Sequence, residues 1–250
     1  MKKVLLLGES WDISTTHTKG IDSVVLGTYV EYGDALIGAL RSSGIDVLYM
    51  PGHIARLKFP FKVEELEEYS VIIISDVGSN TFLLHPDTQN KCIKLPNRLN
   101  VLKDYVLLGG GLLTCGGYMC YSGIDGKARY GMTPLADAIA VNMLNYDDRM
   151  EHPEGVYPVI VKPEHPVLKD IDNENWPYFL GYNKVSAKAQ AQLLATIEGD
   201  TFMACMEYGN GRSFAFASDC VPHWGPPAFV SWKYYPILFG NIVRWLAKEI

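Results

Sequence analysis

The chain has 250 residues, a hydrophobic share of 48%, a charged share of 20% and a formal net charge of -6, which is enough apolar material to close a sizeable core. An acidic chain with no basic run is unsuited to nucleic acid, whose affinity needs clustered Lys and Arg, and to an anionic membrane surface. No stretch approaches the roughly 20 apolar residues of a membrane span, and the opening run breaks at Gly8-Glu9 before it reaches signal-peptide form, so a soluble, cytoplasmic protein is expected. The five cysteines are irregularly spaced, with no Cys-x-x-Cys or His-x-x-x-His pair. Neither a disulfide scaffold nor a structural zinc site fits, and no metal or other cofactor is expected.

Taken in chain order, residues 3–8 (KVLLLG) form a continuous apolar run ending in glycine, as a strand buried on both faces should. Residues 9–30 read as a long loop. Residues 32–44 carry apolar side chains at helical spacing and stop at Gly44. A strand follows at 46–51, a short acidic helix at 63–70 and a strand at 71–75. A helix over 96–111 ends in three glycines, and a strand at 112–115 follows. This alternation predicts a parallel sheet with helices on both faces, because parallel neighbours need crossover connections. The second half is less regular. A helix is read at 133–141, a strand and turn within 155–168, successive antiparallel strands over 192–219 with turns at Gly199-Asp200 and 208–212, and an amphipathic helix to the end. With no repeat and no linker, residues 1–250 are expected to form one α/β domain.

Ligands of open parallel sheets bind outside the carboxyl ends of the strands. The residues after each predicted strand are therefore the candidates: Glu9 and Ser10; His53; Asp76, Ser79 and Asn80; the run from Cys115 to Cys120; and Asp219, Cys220 and His223. Cys115, followed by Gly116 and Gly117, suits a nucleophile on a tight strand-to-helix turn. The backbone nitrogens of Gly116 and Gly117 would hold an oxyanion, His223 would act as base and Asp219 would orient it. The same cysteine also suits a small buried residue in a glycine-rich bend, since free cysteine is among the most buried types. Cys120 is read as packing, and Asp147-Asp148 as a solvated turn.

The stretches LGESWDISTTHTKGIDSVV, SDVGSNTFLLHPDT, PNRLNVLKDYVLLGGGLLTCGGYMCYSGIDGKARYGMTPLADAI, YDDRMEHPEGVYP, HPVL, LGYNKV and SDCVPHWGPPAFVSW resemble the glutamine amidotransferase-like family within the class I glutamine amidotransferase-like superfamily. They span nearly the whole chain. The resemblance implies a flavodoxin-like α/β sandwich with an antiparallel C-terminal part. Working members place a cysteine between two glycines, as Gly-x-Cys-x-Gly, and a His-x-Glu near the C-terminus. Cys115 and Gly117 fit the first motif, with Leu113 in place of its first glycine and Met119 where a glutamine commonly stands. His223 fits the second, with Gly225 in place of the glutamate.

Two functions follow. In one, Cys115 and His223 hydrolyse an amide and release ammonia, which a separate enzyme would accept. In the other, the rim holds a small molecule without catalysis, or serves assembly. If that ligand is carbohydrate-like, Glu9, Asp76, Asn80 and His223 would bond it while Trp11, Tyr118 and Trp224 stack on it. The aromatic C-terminal segment, residues 224–245, suits either a subunit interface of a homo-oligomer or closure of the core.

Overall fold

The structure is a computed structural model that describes residues 3–250, so Met1 and Lys2, part of the one-domain expectation, lie outside it. The strands are β1 (Lys3–Gly8), β2 (Ser10–Lys19), β3 (Asp22–Glu31), β4 (Val47–Met50), β5 (Tyr69–Ser75), β6 (Gly111–Cys115) and β7 (Val141–Met143). They continue with β8 (Arg149–Val156), β9 (Val159–Ile160), β10 (Phe179–Asn183), β11 (Val185–Ala187), β12 (Gln192–Ile197), β13 (Asp200–Tyr208) and β14 (Gly211–Phe216). The helices are α1 (Asp34–Ser42), α2 (Gly52–Lys58), α3 (Asn80–Leu83), α4 (Pro86–Lys91), α5 (Arg98–Leu107), α6 (Pro227–Val230) and α7 (Tyr235–Leu246). Eight strands form the central sheet in the order β4-β1-β5-β6-β14-β13-β12-β9. The first five run parallel, while β13, β12 and β9 pair antiparallel. No helix among the described residues is long and apolar enough to cross a membrane.

The continuous apolar runs are explained by two cores, one on each face. Side chains alternate along a strand. Val4, Leu6, Val71, Ile73, Leu113 and Cys115 enter the core beneath α1 and α7, whereas Leu5, Leu7, Ile72, Ile74 and Leu112 enter the one beneath α2 and α5. Helix α7 presents Leu238, Phe239, Ile242, Val243 and Leu246 at helical spacing to the first core. Phe229 and Phe239 pack against Phe216, and Phe229, Tyr235 and Phe239 against one another, with ring centroids 4.8–6.2 Å apart. Those residues of the C-terminal segment close the core.

Three segments differ from the sequence expectation. Residues 9–30 are a β-ribbon, β2 and β3 paired in unbroken register from Ser10↔Glu31 to Lys19↔Asp22. Gly20, at φ +65°, supplies the first of its two turn residues, the position where glycine is wanted in a tight hairpin. The segment 133–141 is a single 3-10 stretch, Pro134–Ala138; Ile139 turns extended and Val141 opens β7. The acidic helix at 63–70 shrinks to one 3-10 turn at Val63–Leu66.

Candidate functional site

Strands β1, β5, β6 and β14 are neighbours, and their carboxyl ends bring Glu9, Asp76, the Cys115–Gly117 turn and Asp219 to one edge of the sheet. Glu9 and Asp76 leave their strands with φ of +49° and +41°, a left-handed conformation that costs a non-glycine residue energy and is characteristic of functional edges. Above this edge lies a cleft of about 510 Å³ lined by Trp11, Asp12, Ile13, Tyr32, Asp76, Tyr118, Pro222 and His223. Trp11 and Tyr32 meet edge to face at 4.8 Å, and Tyr118 meets His223 the same way at 4.3 Å. Another hollow, about 580 Å³ and lined by Tyr69, Tyr105, Gly109 and Gly110 among others, lies at the amino ends of β5 and β6 and gathers none of these groups.

The floor of the cleft is a cluster of buried carboxylates. Glu9 is fully buried; its Oε1 accepts from Ser75 Oγ and, at 3.9 Å, from Cys220 Sγ, while its Oε2 has no partner among the described residues. Burial pushes its carboxyl well above the usual range, and the charges of Asp219 and Asp76 push the same way. Asp76 Oδ1 accepts from the Met119 N–H at 2.6 Å, and burial raises its pKa. Asp219 Oδ2 lies 2.8 Å from His223 Nδ1, while its Oδ1 has no hydrogen-bond partner among the described residues. Burial raises Asp219 strongly and lowers His223. Both shifts favour the uncharged pair, with one proton held between Oδ2 and Nδ1. A neutral Asp219 that donates to Nδ1 leaves the imidazole's own proton on Nε2, which can donate to a ligand.

Cys115 lies below this floor. The alternation of β6 sends its side chain into the α1–α7 core, where it is fully buried. It pairs there with the Cys220 thiol, which that pairing and burial push upward. Its own backbone is ordinary strand; the positive φ belongs to Gly117. Among the described residues no hydrogen bond joins Cys115 to His223. The expected oxyanion donors are also engaged: Gly116 N donates to Phe216 O at 2.8 Å and Gly117 N to Asn183 Oδ1 at 2.9 Å. The two glycines are needed for space. A Cβ on Gly116 would come within 2.6 Å of Asn183 Oδ1, and one on Gly117 within 2.9 Å of Asp76 Oδ1 and 3.0 Å of Asp219 Oδ1.

Of the other candidates, Trp11, Asp76, Tyr118 and His223 meet at the cleft. Ser10 Oγ accepts from Gly52 N at 2.8 Å and so secures the start of α2. Asn80 lines a neighbouring hollow with Met119, Lys127 and Arg129. Trp224 is 1% exposed and donates its indole N–H to Glu151 Oε2 at 2.9 Å, so its ring supports the cleft from behind. Cys120 packs in the second core, as expected.

Several contributors were not read from the sequence. Asp12, Ile13, Tyr32 and Pro222 complete the lining. Glu151 Oε1 accepts from the Tyr118 hydroxyl at 2.9 Å, and the Arg149 guanidinium lies 4.8 Å over the Tyr118 ring. Asp148, read as part of a solvated turn, is buried and accepts from Ser122 N, Gly123 N and Asn183 Nδ2 at 2.8–2.9 Å. Asn183 has no sequence signal, because its role exists only once β10 lies beside the Gly116-Gly117 turn.

The family model described as "Putative glutamine amidotransferase" (GATase1_like) matches residues 3–248. The chain belongs to this family. As a member of the glutamine amidotransferase-like family it is similar to two solved Salmonella typhimurium structures. One is the cytoplasmic protein STM3548, at 44% identity over 98% of each chain with a TM-score of 0.95. The other is the cytoplasmic protein STM1381 from strain LT2, at 44% identity over 98% of this chain and 99% of that one with a TM-score of 0.94. A ThuA-like protein from Parabacteroides merdae shares the fold at 12% identity, covering 99% of this chain and 90% of that one, with a TM-score of 0.57. The comparison with curated protein sequences gave no match. Within this glutamine amidotransferase-like chain, then, Cys115 is buried beneath the cleft, while His223, paired with the buried Asp219, lines it.

Proposed function

We propose that this glutamine amidotransferase-like protein holds a small polyhydroxylated, carbohydrate-like molecule in the cleft, with Trp11, Tyr32 and Tyr118 as stacking walls and Asp76 and His223 as hydrogen-bonding groups. One observation carries the reading: an aromatic-walled cleft stands over buried carboxylates while Cys115 is sealed in the core below. Sugars present an apolar face edged by hydroxyls, which suits aromatic rings beside a few placed acceptors. The strand order β4-β1-β5-β6-β14, second-first-third-fourth-fifth in sequence, supports a flavodoxin-like layout, which binds ligands at this edge. On the names of the two Salmonella relatives, we place the chain in the cytoplasm.

The second reading is a Cys115–His223 amide hydrolase that supplies ammonia to a separate enzyme. Family membership and the position of Cys115 at the end of β6, ahead of Gly116 and Gly117, favour it.

Ligand-observed NMR on a panel of neutral and acidic monosaccharides, repeated with Trp11→Ala and Tyr118→Ala, tests the first reading. Binding that falls at least about fivefold in either variant is expected, since losing a stacking partner removes on the order of 1 kcal/mol or more. Binding by no sugar, or binding indifferent to both variants, sinks it. Iodoacetamide mapping in the same samples tests the second. Exposed Cys92 should label in the folded protein and buried Cys115 only on unfolding; rapid labelling of Cys115 in the native state would restore the hydrolase.

A further inference from the structure

The groups around the cleft carry charge of one sign. Its lining, among the described residues, includes Asp12 and Asp76 and no Lys or Arg. Beneath it Glu9 and Asp219 add two more carboxyls, and Glu151 stands behind Tyr118. The Arg149 guanidinium beside Tyr118 is already engaged: it bonds Asp147 at 2.8–3.2 Å and lies 3.8 Å from Glu151. A small molecule entering here meets carboxyl groups and aromatic rings, with His223 as the one basic side chain in the lining.

Two of the buried carboxyl oxygens, Asp219 Oδ1 and Glu9 Oε2, lack a donor among the described residues, a state that costs free energy until a donor arrives. Asp219 Oδ1 and Asp76 Oδ1 both stand over the Gly117 Cα, where an added Cβ would meet them at 3.0 and 2.9 Å. Asp76 is the member of this group that lines the cleft. Burial raises its carboxyl, but the Met119 N–H, His223 and a hydrogen bond from Trp11 oppose that rise. Glu9 and Asp219 are held well above the usual range, so Asp76 is where the cluster carries negative charge. The bond from Trp11 also sets its side chain against the Asp76 carboxylate. A positive group docked on Asp76 therefore comes beside Trp11, which meets Tyr32 edge to face at 4.8 Å, and aromatic faces attract cations. Tyr118 already serves one cation, since Arg149 lies 4.8 Å over its ring.

We infer that the ligand of this cleft carries a positively charged amine, bonded by Asp76 beside the Trp11 ring. The inference rests on the carbohydrate-like reading for the rest of the molecule, and the two together name an aminated sugar as the ligand class. The ammonium donates to the Asp76 carboxylate, a charge-assisted bond of the stronger kind. Its three N–H donors suit a floor with carboxyl oxygens to spare. A sugar hydroxyl then accepts from the His223 Nε2–H, and the apolar sugar face rests on the aromatic walls. A sugar bearing a carboxylate or phosphate is disfavoured by the same floor, because like charges repel strongly beside buried groups.

Ligand-observed NMR titrations with glucosamine, glucose, N-acetylglucosamine and ethylamine, in a buffer that keeps both amines protonated, test this on the native protein and on Asp76→Asn. The asparagine oxygen can still accept from the Met119 N–H, and asparagine tolerates a φ of +41°, so the variant removes the charge and keeps the turn. Glucosamine is expected to bind at least about tenfold more tightly than glucose or N-acetylglucosamine, which keeps the nitrogen without its charge. It should lose about that factor in Asp76→Asn, while glucose changes less than about twofold. The ligand comparison on the native protein decides the matter if the variant misfolds. Glucose or N-acetylglucosamine binding as tightly as glucosamine overturns the inference and leaves the carbohydrate reading standing, and so does a preference for glucosamine that survives Asp76→Asn. Ethylamine binding as tightly as glucosamine, and lost in Asp76→Asn, upholds the amine and overturns the carbohydrate reading. Binding by none of the four overturns both.

Discussion

The central sheet and the ribbon are built from the same secondary structure under opposite conditions. In the sheet, β1, β5 and β6 are enclosed on both faces, and their apolar runs fill two cores. In the ribbon, β-branched residues such as Ile13, Thr15, Thr16, Val24 and Val25 face solvent along nearly the whole length. The sheet derives its stability from packing, whereas the ribbon on its own has cross-strand hydrogen bonds and side-chain pairs of roughly 0.2–1 kcal/mol each. One region can therefore be damaged by single substitutions, and the other should be nearly indifferent to them in the isolated chain.

The largest effect should come from the sheet. Phe216 on β14 is fully buried and touches the rings of Phe179, Phe202, Phe229 and Phe239. Phe216→Ala should lower stability by about 3–5 kcal/mol, read from the urea midpoint at constant slope. A loss under about 1 kcal/mol would mean that this aromatic core is not packed as described.

The second effect lies at the joint between the two regions. Glu9 links the sheet strand β1 to the ribbon, and burial holds its carboxyl well above the usual range. Across the pH interval between its unfolded and folded values the folded state keeps a proton that the unfolded chain has released. The unfolded state then binds fewer protons, and stability falls as pH rises. Glu9→Gln removes this titration. Relative to the native protein, the variant should gain stability as pH rises from acid to neutral, read from urea midpoints at several pH values. An unchanged difference at every pH would show that Glu9 does not retain its proton.

The smallest effect should come from the ribbon. Leu26 is 53% exposed, and Leu26→Ala should change monomer stability by about 0.5 kcal/mol or less. A loss of 2 kcal/mol or so in a dilute, single-chain sample would show that the ribbon is packed against its own body, and the two regions would no longer contrast.

The same contrast explains what was legible in the sequence. Enclosed strands announce themselves: KVLLLG, VIIIS and LLTC were placed within a residue or two, and the glycine ends of α1 and α5 were read correctly. The ribbon reads as a loop in the sequence because burial imposes no alternation on an exposed strand. The available signals were its β-branched content and a Gly-Ile pair between two runs of equal length. At the site, strand ends located Glu9, Asp76, Cys115 and Asp219. What they could not give was depth: the parity of β6 decides that Cys115 faces the core, and parity becomes visible only when both cores are known. Tyr118, Arg149 and Glu151 are likewise joined by folding and not by spacing.

Asn183 carries a consequence for binding. Its amide accepts from Gly117 N at 2.9 Å and donates to Gly117 O at 3.1 Å and to Asp148 Oδ1 at 2.8 Å. A side chain that meets both backbone groups of one residue does what one rung of a neighbouring strand would do. It extends the ladder two residues past the end of β6 and anchors the turn that carries Tyr118. The wall of the cleft is thus rigid before any ligand arrives. A ligand that docks there does not have to order a loop, so more of its contact energy appears as affinity.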